Sequence, residues 1–67
     1  MTEPERKRVT LDLELPEDEL WALAQFLKRV GFQEWRLNAT SEEEAYRMRA
    51  GCSAVQDALA EAGYAPR

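Results

Sequence analysis

The chain has 67 residues, 13 acidic against 9 basic, with no histidine, one cysteine and a formal net charge of −4. That length suffices for a single domain, one that buries only ~60% of its unfolded surface. The counts exclude an intrachain disulfide and a histidine base, and they weigh against a partner recognised mainly through phosphates.

Residues 1–6 are mostly polar, hold Pro4 and read as a flexible N-terminus. Over residues 7–15, Val9, Leu11, Leu13 and Leu15 alternate with Arg8, Thr10, Asp12 and Glu14. Period two with one aliphatic face predicts an amphipathic strand. A lone strand leaves both its backbone groups and its apolar face without partners. Val9, Leu11, Leu13 and Leu15 are therefore the candidate dimer interface, with a second copy supplying the other half of a two-stranded ribbon.

Residues 16–30 read as a helix. Pro16 suits the first helical position, and Glu17, Asp18 and Glu19 place carboxylates at the positive end of the helix dipole. Leu20, Leu23, Leu27 and Val30 recur at spacings of three and four, with Ala24 filling the stripe. Trp21 and Phe26 lie off its centre, so the apolar arc is wide enough for contact on two sides. The stop is Gly31, placed so that a left-handed conformation there lets Phe32 pack back on Leu27. Leu59, Gly63 and Tyr64 repeat that spacing near the C-terminus, and Pro66 blocks continuation.

Residues 32–39 form a linker, short-helical or irregular in preference to a strand. Only one aromatic and no β-branched residue falls within 33–39, although Trp35, Leu37 and Ala39 alternate. A second long helix occupies 41–62, opened at Thr40 or Ser41 by overlapping capping boxes with Glu43 and Glu44. Its apolar positions, Ala45, Met48, Cys52, Val55, Leu59 and Ala62, are spaced as a helix-pair seam. Gly51, Ala54 and Ala58 run along one edge of that seam. Because glycine costs ~1 kcal/mol inside a helix, Gly51 predicts a closely approaching backbone. Residues 64–67 form a tail.

Little here carries chemistry. Cys52 sits on the apolar stripe, where a thiol is ordinarily inert packing. Ser41 and Ser53 lack a neighbouring base, and no glycine-rich phosphate loop occurs. Glu42, Glu43 and Glu44 point in different directions on a helix and cannot converge on a cation. No catalytic residue, metal or cofactor is expected. Self-association is then the support left to so small a core. Trp21 and Trp35 are the candidate partner-binding residues, since an exposed tryptophan is a common interface anchor. No apolar run approaches the ~20 residues that span a bilayer and no signal peptide is seen, so a soluble cytoplasmic protein is expected.

Two resemblances follow. Strand, Leu15-Pro16-Glu17, helix, turn and helix resemble the ribbon-helix-helix fold over roughly residues 7–62. That resemblance implies a dimer whose ribbon enters the DNA major groove, with Arg8, Thr10, Asp12 and Glu14 at the reading positions. Two of those four are acids, which phosphates repel. The C-terminal half, from Glu43-Glu44-Ala45-Tyr46 to the ending Glu61-Ala62-Gly63-Tyr64-Ala65-Pro66-Arg67, is similar to a family of short uncharacterised bacterial proteins. It implies a bacterial cytoplasmic protein and no activity. The expected fold is α+β, a β-α-α single domain and a homodimer. The expected function is that of a small non-enzymatic interaction or regulatory protein, with DNA-binding regulation as the alternative and no membrane partner.

Overall fold

A computed structural model describes residues 5–67. It contains three helices: α1 over Glu17–Arg29, α2 over Phe32–Asn38 and α3 over Glu42–Glu61. Among the described residues there is no β-strand, so the α+β expectation is corrected to an all-helical fold. Residues 5–16 form an arm without regular structure, and among the described residues no backbone hydrogen bond involves 5–15. The physical reason lies in what a strand is. Alternation creates an amphipathic extended chain, but a strand also needs a second backbone to bond, and none adjoins this arm. The strand expected at residues 7–15, on which the ribbon-helix-helix resemblance rested, does not form among the described residues. The flexible terminus read at 1–6 lies largely outside the described residues.

The α1 helix starts where Pro16, its N-cap, accepts hydrogen bonds at its carbonyl from the amides of Glu19 (3.0 Å) and Leu20 (3.1 Å). It ends in extended backbone at Val30, whose amide donates to Phe26 O. Gly31 has φ −120° and ψ 177°, which is extended rather than left-handed. The expected glycine stop therefore does not form there. Gly31 is instead the N-cap of α2, which begins immediately, and Phe32 packs against Tyr46 with ring centroids 5.0 Å apart and planes tilted by 43°. The linker takes its short-helical form.

Ser41 caps α3, its side-chain oxygen accepting from the Glu44 amide at 3.1 Å. The Glu44 carboxylate reaches back one residue further than the usual box, accepting from Thr40 N at 2.7 Å and Thr40 Oγ1 at 3.1 Å. These two bonds, backbone first, hold the Glu44 carboxyl below the usual glutamate range, and Arg47 adds a smaller attraction against slight desolvation. At the far end, Gly63 has φ +103°, with Gly63 N donating to Ala60 O and Tyr64 N to Leu59 O. That is the double bond pattern of a Schellman stop.

Both shorter helices pack on α3. Ala24 and Leu27 of α1 meet Leu59 of α3 in the core, ringed by half-buried Leu20, Leu23, Cys52, Val55 and Tyr64. Apart from these three, only Ala45 is buried among the described residues. The predicted α3 seam thus faces inward through its middle, while Ala62 at its end stays exposed.

Candidate functional site

Two apolar grooves flank the small core. The first lies between the arm and α3. Val9, Leu11 and Leu13 stand along one side, and Ala54, Ala58 and Ala62 along the other, around about 450 Å³ of open space. The aliphatic side chains of the arm overhang this space without filling it. Exposure falls from 75% at Val9 through 68% at Leu11 to 38% at Leu15, where the arm joins α1. Three of the four residues expected at a dimer interface, Val9, Leu11 and Leu13, are thus brought to one side of one groove, while Leu15 lies outside its lining.

The second groove runs between α1, α2 and α3, a wide and open depression of about 550 Å³. Phe26 and Val30 of α1, Trp35 of α2, and Met48, Gly51 and Cys52 of α3 line it. Here the expectation for Gly51 is corrected. A Cβ at Gly51 would meet nothing within 4 Å, so among the described residues no other element approaches it and the glycine opens onto the groove. Helical spacing located the edge correctly, yet α1 and α2 pack on the neighbouring face of α3.

The two candidate tryptophans part company. Trp21 is the more exposed of the two, at 38%, although one side of its ring meets Tyr64 edge-on with centroids 5.1 Å apart. Trp35 is half-buried in the second groove, and its indole Nε1 is shielded from solvent without a hydrogen-bond acceptor. A buried donor left unpaired costs about 1–3 kcal/mol. Phe26, which sequence reasoning placed off the helix stripe but did not single out, is 60% exposed at the rim of the same groove. Its off-stripe position was the signal that could have found it.

Cys52 is free and half-buried between core and groove. Among the described residues, no group of three or more cysteine or acidic side chains converges on a point that could hold a metal. No helix is long and apolar enough to cross a membrane among those residues. The second groove is thus mainly apolar, with the Trp35 indole N–H buried in its wall.

A family model described as a family of unknown function, DUF7706, matches residues 1–67. The chain belongs to that family. No curated protein and no solved structure matches it. The family match covers the whole chain and agrees with the expectation of an uncharacterised family.

Proposed function

We propose that this chain is a small non-enzymatic interaction or regulatory protein that works through protein–protein contacts. The observation that carries the reading is the groove around Trp35: apolar walls, an exposed Phe26 at the rim and an indole N–H lacking an acceptor. A partner that inserts apolar side chains into the groove gains burial; an oxygen reaches Trp35 Nε1, which is shielded in the free chain, only if that ring moves on binding. A bacterial cytoplasm is the setting this reading assumes, from the C-terminal resemblance and the single unpaired cysteine.

DNA-binding regulation has no comparable support. Asp12 and Glu14 share the polar face of the arm, and the net charge is −4.

The test is in-cell cross-linking of the tagged full chain beside its Phe26→Asp and Trp35→Phe variants, read by quantitative mass spectrometry. A defined protein captured by the wild type, depleted with Trp35→Phe and lost with Phe26→Asp is the expected result. Capture that is indifferent to both substitutions would rule the groove out.

A further inference from the structure

We infer that a second copy of this chain covers the arm and the adjoining edge of α3, in a two-fold dimer held by side-chain packing and without strand pairing. This goes beyond the reading above and concerns the other groove.

Area is the first argument. The single chain exposes 6128 Å². A compact monomer of 7.7 kDa exposes about 4,300 Å², so the excess is about 1,800 Å². Its radius of gyration is 13.5 Å, against about 11 Å for a compact chain of this length. A standard interface hides about 800 Å² on each partner. The exposed arm accounts for surface in excess of what one such contact hides on each partner.

Self-complementarity is the second argument. A two-fold contact uses the same patch on both copies, so the patch must hold both the protrusion and its socket. The groove beside the arm does. Val9, Leu11 and Leu13 are the protrusions, while Ala54 and Ala58 of α3 and its C-cap Ala62, spaced four residues apart, form a shallow socket of small side chains. In a single chain Leu11 remains 68% exposed and the socket stays open. Laying each arm across the α3 of the other copy fills both.

Charge is the third. Arg6, Lys7 and Arg8 immediately precede Val9. Asp57 and Glu61 flank the alanine edge on its outer side by helical position, and the last turn of α3 carries no basic residue. The basic end of one arm therefore meets the acidic end of the partner's α3.

Static light scattering on the full chain, from micromolar to millimolar concentration, tests this. The wild type should have the mass of two chains, and Leu11→Asp and Ala58→Glu the mass of one, each weakening the dimer on the order of 100-fold because a carboxylate is buried unpaired. Asp57→Lys with Glu61→Lys should weaken it about tenfold, and adding Arg6→Glu with Arg8→Glu should restore it. Should Leu11→Asp lose helix by circular dichroism, the charge exchange decides, since all four positions are exposed. A one-chain mass for the wild type throughout, a two-chain mass in both apolar-site variants, or charge exchange without effect overturns the inference. The Phe26-dependent capture lies on the other groove, so its survival in a monomeric chain separates failure of the dimer from failure of the interaction reading.

Discussion

The ring of Tyr64 stands edge-on to that of Trp21, centroids 5.1 Å apart and planes at 66°. This pair ties the chain beyond α3 back onto α1. It exists because Gly63, at φ +103°, turns the backbone so that the Tyr64 amide reaches Leu59 O at 2.8 Å. Tyr64 also borders the core of Ala24, Leu27 and Leu59. Tyr64→Ala is expected to cost about 1–3 kcal/mol, combining lost burial with the aromatic pair. Urea melts monitored by tryptophan fluorescence check it, and an unchanged midpoint would show that the C-terminal turn is not part of the cooperative unit.

The three glycines should respond to alanine in three different ways. Gly63→Ala forces a side chain into positive φ and should destabilise by about 1 kcal/mol or more. Gly51→Ala meets open space on the face of a long helix and should stabilise by about 1 kcal/mol through propensity. Gly31 is extended, and an added Cβ sits 3.5 Å from Glu34 Oε2, an ordinary contact, so Gly31→Ala should be nearly neutral. Thermal melts of the three single variants decide the order. A stabilised Gly63→Ala or a destabilised Gly51→Ala would contradict these assignments.

The start of α3 should loosen in acid. The folded-state pKa of Glu44 is depressed by the Thr40 bonds. Its contribution is therefore complete above the ordinary glutamate value of the unfolded chain and is lost as pH falls through the lower folded value. An NMR titration should show the Thr40 amide shifting in that acid window, and Glu44→Gln should abolish the shift. Ser41→Ala removes the other cap and should cost about 1 kcal/mol at neutral pH.

Duplex DNA should bind weakly and without sequence preference. The chain carries a net charge of −4, and Asp12 and Glu14 share the polar face of the arm. Few neutralised phosphates give low affinity and a shallow salt slope. Fluorescence anisotropy with unrelated duplexes at physiological salt is the measurement. A nanomolar, sequence-selective complex would revive the regulatory reading.

Where interactions are local, the sequence by itself determined the outcome. Spacings of three and four located α1 and α3, Ser41 and Glu44 marked the start of α3, and Gly63 with Tyr64 marked its end. Each rests on groups a few residues apart, whose geometry is settled once the helix forms. Tertiary structure decided the rest. Gly31 has the same neighbours as Gly63, a leucine four residues before and an aromatic residue after. Yet it is extended, because α2 starts at once and uses it as a cap. The alternation of Val9 to Leu15 describes an amphipathic arm equally well with or without a partner strand, since the bonds that make a strand come from another backbone. Trp35 and Gly51 were legible as residues of interest. That they line one groove, with an orphaned indole donor and an open backbone edge, depends on how α1 and α2 divide the surface of α3 between them.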